Sequence, residues 1–282
     1  MKAAATSYRR AASLEEAAEL CMTAEGMPKY LAGGQSLLPM MNLRLALADA
    51  VIDISGIPEL REARHEDGAF FVGAGVTHAM IEDGKVEDVT RGYLRHVARG
   101  IAYRSVRNRG TVGGSLAHAD PAADWPSALL ALDAVAVIRG ESGLREMPLR
   151  DFQVGLMETG LGEYDILLGV RLPVLSPAAR WSYQKFCRKT GEFAHSIGAV
   201  VIDPEHGIAN VVLGAAADKP ALLPGVSARL AQGADPGVAG SPAFARLLEQ
   251  DLEQSLRQAP SSYDFHLHKT MVTRAIQEAL KK

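Results

Sequence analysis

Two periods of apolar residues alternate along the chain, broken by glycine-rich and polar stretches. Leu14, Ala17, Ala18 and Cys21 recur at helical spacing behind Ser13-Leu14-Glu15-Glu16, a capping box, and predict a helix over 14–25. Lys29 to Ala32 reads as a short strand that runs into Gly33-Gly34-Gln35-Ser36, and Val51–Ile54 and Phe70–Val72 read as strands bounded by turn residues. Leu94, Val97, Ala98 and Ile101 share one helical face. Periodicity then lapses over SVRNRGTVGGSLAHADPAAD, which reads as a long polar loop. A helix from Trp125 to Asp133, with Pro126 in its first turn, and a strand from Ala134 to Ile138 follow.

Beyond Leu172 the pattern changes. Pro173, Pro177 and small residues predict a linker near 173–180. Trp181–Cys187, Ser196–Ile202 and Ile208–Leu213 read as antiparallel strands. Two helices close the chain, over 241–257 and 262–280, the second starting at Ser261 or Ser262. Strands followed by grouped helices predict an α+β arrangement rather than a doubly wound sheet.

Composition narrows the classes. The 282 residues are 48% hydrophobic and 22% charged, enough for one large domain or two of ordinary size without staples. Thirty basic against thirty-three acidic residues leave a net charge of −3, which gives no electrostatic reason to expect nucleic acid or an anionic membrane. The most apolar long stretch, Leu37 to Ile54, is interrupted by Pro39, Asn42, Arg44, Asp49 and Asp53, so no membrane span is expected. Arg9-Arg10 invites a twin-arginine signal, but Glu15, Glu16 and Glu19 stand where an uncharged run is needed, and a cytoplasmic location is expected. Cys21 and Cys187 suggest no disulfide framework. Two thiols also cannot hold an iron–sulfur cluster, which normally takes four.

Two glycine segments are the candidates for chemistry. Ala32-Gly33-Gly34-Gln35-Ser36-Leu37 follows a strand, and its successive backbone N–H groups suit a phosphate; a plain tight turn is the other reading. Thr111-Val112-Gly113-Gly114-Ser115 is the second, in a loop long enough to have a task. Asp124 stands before the Pro126 helix, either as its N-cap or as an acceptor for a ligand hydroxyl. His118 and Asp120 either act in acid–base chemistry or shape the loop. Arg104, Arg107 and Arg109 are either solvated or a charge complement for a diphosphate or a partner protein. Gly73-Ala74-Gly75 starts a dinucleotide fingerprint, but His78 occupies the third glycine position. No Walker lysine motif, metal-ligand spacing or Gly-x-Ser-x-Gly elbow is present, so neither a metal site nor an acyl-transfer nucleophile is expected.

AGGQSLLPMMNLRLA with VIDIS, then VRNRGTVGGSLAHADPAAD, resembles the FAD-binding medium subunit of the molybdenum hydroxylases. That family includes carbon monoxide dehydrogenase, xanthine dehydrogenase and bacterial N-heterocycle dehydrogenases. The likeness runs along nearly the whole chain and takes in Leu167-Leu168 before Arg171-Leu172-Pro173, Lys185-Phe186, and Met271-Val272 with Arg274. It implies a vanillyl-alcohol-oxidase (PCMH-type) FAD domain of two α/β subdomains over residues 1–176. Residues 177–282 would form a C-terminal domain with a three-stranded antiparallel sheet and helices.

The resemblance also implies roles. Ala32, Gly33, Gly34, Gln35, Ser36 and Leu37 would wrap the FAD diphosphate from one side, and Thr111, Gly113, Gly114 and Ser115 from the other. Ile101 would touch the flavin, Asp124 the ribityl or ribose part, Leu167 a ring edge through its backbone, and Lys185 the flavin ring. Many relatives have Asn where Ser115 stands. Relatives resembling carbon monoxide dehydrogenase place a tyrosine where Phe193 stands in Lys189-Thr190-Gly191-Glu192-Phe193-Ala194; a phenyl ring can stack but offers no hydroxyl.

Flavin accepts single electrons and gives up pairs. With too few cysteines for clusters and nothing recognisable for molybdopterin, the chain is expected to be one subunit of a complex. A small iron–sulfur subunit with 2Fe-2S clusters and a large molybdopterin-binding subunit are the implied partners, in a dimer of heterotrimers. No catalytic side chain is expected here. A stand-alone FAD oxidoreductase and a non-catalytic scaffold are the alternatives.

Overall fold

A computed structural model of the protein describes residues 2–233, 235–256 and 260–281. The chain opens with Ser7–Arg10 (β1), Leu14–Met22 (α1), Pro28–Leu31 (β2), Leu37–Asn42 (α2) and Ala50–Asp53 (β3). These strands form a parallel sheet in the order β1-β3-β2; α1 carries the chain from one edge strand to the other, and α2 lies in the crossover from β2 to its parallel neighbour β3. Half of the predicted capping box is present: Ser13 Oγ accepts from Glu16 N at 3.2 Å, while the Glu16 carboxylate accepts from Ala12 N, one residue before the cap, at 2.7 Å. The helix stops at Met22, short of the expected 25. Thr23 bonds back to the Glu19 carbonyl, and Gly26 turns the chain at φ +78.

Next come Ala63–Glu66 (β4), Ala69–Gly73 (β5), His78–Glu82 (α3), Tyr93–Gly100 (α4), Arg104–Arg107 (α5), Val112–His118 (α6) and Asp124–Ala131 (α7). Val135–Gly140 (β6), Gly143–Pro148 (β7), Leu149–Phe152 (α8), Gln153–Gly155 (β8), Glu158–Thr159 (β9) and Ile166–Leu172 (β10) complete this part. Five strands pair antiparallel in the order β4-β5-β10-β6-β7, and β8 and β9 form a separate hairpin. On α4 the predicted face is buried through Leu94, Val97 and Ala98, joined by Tyr93.

The stretch predicted as a polar loop contains two short helices. Thr111 caps α6, its Oγ1 accepting from Gly114 N at 3.0 Å. Arg104 and Arg107 tie α5 to Glu82 and Asp83 at the end of α3. A glycine pair at a helix start hid α6 from a periodicity reading, because glycine contributes no apolar face.

Arg180–Phe186 (β11), Ser196–Asp203 (β12) and Ile208–Gly214 (β13) are the three strands expected near the C-terminus. They pair antiparallel in register, and Ala221–Leu222 (β14) adds a two-residue edge. Pro224–Ala231 (α9), Pro236–Ala239 (α10), Pro242–Ser255 (α11) and Ser262–Lys281 (α12) follow. The expected end of the first closing helix, at 257, lies outside the described residues. The second begins at Ser262, as the sequence suggests.

Every residue of β12 is buried. Ile197, Ala199 and Val201 join the core that includes α7 and the five-stranded sheet; Val200 and Ile202 join a second core with residues of α9, α11 and α12. This is the period-two alternation of a strand used on both faces. All eight residues of α7 are buried, as befits a helix enclosed on every side. The segment expected to be a linker is pinned: Leu175 N donates to Val89 O, and Ser176 gives both its N–H and its hydroxyl to the buried Asp203 carboxylate. Among the described residues, no helix is long and apolar enough to cross a membrane.

Candidate cofactor site

The first glycine segment links the end of β2 to the start of α2. Gly34 sits at φ +71, where a side chain would be strained. The backbone N–H groups of Gly34, Gln35 and Ser36 meet no acceptor among the described residues. The Gln35 amide folds back onto Gly33 O at 3.1 Å, so this side-chain donor is already engaged. Ser36 occupies the N-cap position of α2 without a side-chain capping bond, which leaves its hydroxyl available.

The second segment is built differently. Val112 N donates to Val76 O, Gly113 N to Ala74 O, Gly114 N to Thr111 Oγ1 and Ser115 N to Thr111 O, all at 2.9–3.1 Å. Its donors are therefore bound to the protein, and Ala74–His78 acts as its seat, through a Thr77–Thr111 bridge and a bond from His78 N to Gly110 O. Beneath it, Trp125 Nε1 donates to His78 Nδ1 at 2.9 Å. Burial, helped by the Arg107 charge, holds the His78 imidazole down to about 3, so it is neutral and its Nδ1 accepts.

The two segments touch. A Cβ on Gly33 would overlap the carbonyl of Arg109, and one on Gly113 would overlap Ala74. One on Gly114 would lie 2.8 Å from Thr111 Oγ1 and 3.7 Å from Ala32 Cβ. The result is a cradle floored by backbone, with unengaged N–H groups on one wall and small residues on the other. That is the form a diphosphate needs, so the residues fit the cofactor that the sequence implies.

A second cluster lies at the junction of α4, α7 and β11. Asp124 is not the N-cap that one reading allowed: Ala123 holds that position, and Asp124 is the first residue of the helix. Its side chain turns inward, 5% exposed, where Oδ1 accepts from Tyr183 Oη at 2.8 Å and Oδ2 from Lys185 Nζ at 2.9 Å. Burial pushes the Asp124 carboxyl up, against the opposing pull of Lys185 and Tyr183. Lys185 Nζ also reaches Gly100 O at 3.5 Å, one residue before Ile101. Gly191 packs on Ala102, where a Cβ would come within 2.8 Å of the Ala102 carbonyl. Ile101, Asp124, Lys185 and the segment carrying Phe193 are thus gathered at one place. The Phe193 ring is 59% exposed. Leu167 is buried at an irregularity of β10, and the neighbouring Leu168 carbonyl is taken by Ala74 N at 2.8 Å.

Of the arginine cluster, Arg104 and Arg109 are exposed, as the solvated reading has it, whereas Arg107 is half-buried. Arg104 and Arg107 are neutralised by Glu82 and Asp83, and Arg107 also donates to the carbonyls of Ile101 and Ala102. They brace the site rather than offer free charge. Asp120 shapes its turn, accepting from Ala122 N at 2.9 Å. Sequence reasoning passed over Tyr183, Trp125 and His78 as site-builders. The alternation of Trp181, Tyr183 and Lys185 on one strand face was the available signal. Among the described residues, no group of three or more His, Cys, Asp or Glu side chains could hold a metal ion.

Residues 4–175 match the family described as the FAD binding domain in molybdopterin dehydrogenase. The chain is 37% identical over 195 residues to the carbon monoxide dehydrogenase medium chain of Hydrogenophaga pseudoflava, covering 69% of this chain and 68% of that one. It is 38% identical over 202 residues to the nicotine 6-hydroxylase medium subunit of Paenarthrobacter nicotinovorans, covering 72% and 70%. Among solved structures, carbon monoxide dehydrogenase from Hydrogenophaga pseudoflava superposes with a TM-score of 0.90 at 31% identity, over 100% of this chain and 99% of that one. Quinoline 2-oxidoreductase from Pseudomonas putida 86 superposes at 0.88 and 31%, with the same coverage.

Proposed function

The chain belongs to the family of FAD binding domains in molybdopterin dehydrogenases, and from that premise we propose how it works as the FAD-binding, electron-transferring subunit of a multi-subunit molybdenum hydroxylase. It is an oxidoreductase subunit whose partners are an iron–sulfur chain and a molybdopterin-binding chain. Bound FAD supplies single-electron uptake and two-electron release, the step that joins clusters to a terminal acceptor.

The meeting of Gly33 with Arg109 and of Ala32 with Gly114 carries the site assignment. Gly34, Gln35 and Ser36 hold one side of the diphosphate through backbone N–H groups, with Ala32, Gly33 and Leu37 shaping that wall. Thr111, Gly113, Gly114 and Ser115 form the other wall, where small size permits close approach and the Ser115 hydroxyl supplies a donor. Ile101 and Phe193 cover the flavin and exclude water. Asp124 accepts from a ribityl or ribose hydroxyl, Lys185 brings positive charge to the ring, and Leu167 gives a backbone contact at a ring edge.

Residues 1–176 act as the FAD-binding unit and 177–282 as the C-terminal unit. The complex is a dimer of heterotrimers in the cytoplasm; the twin arginines belong to β1, opposite Ile52 and Asp53, which supports that location. Titrating the full chain with FAD, followed by flavin fluorescence, tests the reading. Stoichiometric binding without oxidation of carbon monoxide, aldehydes or N-heterocycles by the chain alone is expected. Turnover by the chain alone would instead favour a self-sufficient oxidoreductase, and failure to take up FAD would leave only a scaffold.

A further inference from the structure

We propose that Tyr183 is a positioning residue for the cofactor site: its hydroxyl holds one oxygen of Asp124, so that the carboxylate presents its other acceptor positions to Lys185 and to the cofactor. This rests on the proposed function and extends it to a residue that the sequence did not single out.

The geometry is that of a strand face. Trp181, Tyr183 and Lys185 alternate along β11 and face the same way. Tyr183 is buried behind Asp124, with Tyr93 and His96 of α4 edge-on to its ring at 6.3 and 6.5 Å. Tyr93 in turn donates to the Ala128 carbonyl at 3.2 Å, one turn along α7 from Asp124. The phenol is therefore held by aromatic packing on one side and has one task on the other.

A carboxylate accepts through two oxygens with about four acceptor positions in all. Tyr183 takes one on Oδ1 and Lys185 one on Oδ2. Without the hydroxyl, the carboxylate is free to swing toward the ammonium and engage it with both oxygens. That would consume the positions a sugar hydroxyl needs and draw Lys185 away from the ring. Burial, with Asp124 nearby, pushes the phenol well above its ordinary range, so it stays a donor at any working pH.

The test is a double-mutant cycle on the full chain, with FAD as the probe. Y183F keeps the ring and removes only the hydroxyl; we expect its FAD dissociation constant to rise about tenfold. In a D124A background the same change should have less than about a twofold effect, because the acceptor it orients is gone. A purely structural tyrosine would weaken binding by the same factor in both backgrounds, and that outcome overturns the proposal. Replacing Tyr183 by p-aminophenylalanine returns a donor to the same place and should keep near-wild-type affinity; it also decides the matter if Y183F fails to fold, since loss of affinity with the donor present refutes the role. If wild-type chain takes up no FAD, the proposed function itself falls; if it binds and Y183F matches it, only the role of Tyr183 falls.

Discussion

The two glycine segments look alike as strings of letters and differ as structures. In the first, Gly34, Gln35 and Ser36 leave their N–H groups without protein acceptors. In the second, every N–H from Val112 to Ser115 is bonded to the chain itself. One wall of the cradle thus donates and the other yields space. A glycine pair serves two different ends: conformational reach at Gly34, and the absence of a Cβ at Gly33, Gly113 and Gly114.

The sharpest way to break this arrangement is at the contact between the segments. Gly33→Ala puts a methyl into the Arg109 carbonyl, which has no room to retreat because the adjoining Gly110 is bonded to His78 N. FAD affinity should fall about a hundredfold, read by fluorescence titration. Gly114→Val pushes on Thr111 Oγ1, the cap of α6, instead of on backbone. A loss of about thirtyfold is expected, with a lower melting midpoint of the FAD-free chain.

A pH series separates the two walls further. His78 protonates near 6.5 in the unfolded chain and only at about 3 in the folded one. Its contribution is complete above 6.5 and is lost as pH falls toward 3, by about 1.4 kcal/mol per unit. Denaturant midpoints of wild type and His78→Gln at pH 7.0 and 5.5 (assay settings chosen about either side of that range) should show wild type losing more on acidification. An equal loss in both would detach His78 from the seat of the second segment. The smallest effect is expected at Gln35→Ala. Its amide is already bonded to Gly33 O, so FAD affinity should change less than about threefold. A larger fall would mean that the amide leaves the loop for the cofactor.

What the sequence made legible follows from where the physics is local. Ser13 capping α1, the apolar run of β12 and the start of α12 at Ser262 depend on neighbours a few residues away. Family likeness supplied the partnership of the two glycine segments, which no local pattern could give. Asp124 shows the limit. Its position before Pro126 suggested a cap, whereas its partners Tyr183 and Lys185 lie 59 and 61 residues downstream on β11. Arg104 and Arg107 likewise read as free charge because Glu82 and Asp83 stand more than twenty positions upstream. The helix at Val112–His118 was missed for a different reason: it is held by Thr111 and by the Ala74–Val76 carbonyls rather than by an apolar stripe.

The two-faced strand β12 bears on how such a gene can be cut. Its odd-numbered residues from Ile197 to Val201 lie against the N-terminal half, and its even-numbered ones against the closing helices. A shortened version ending near 176 would strip cover from α7 and turn the apolar side chains of a wholly buried helix toward water, an aggregation hazard rather than a minimal module. Shuffling by recombination should therefore keep β12, its partner β13 and the closing helices together with the N-terminal half rather than part them at the apparent seam.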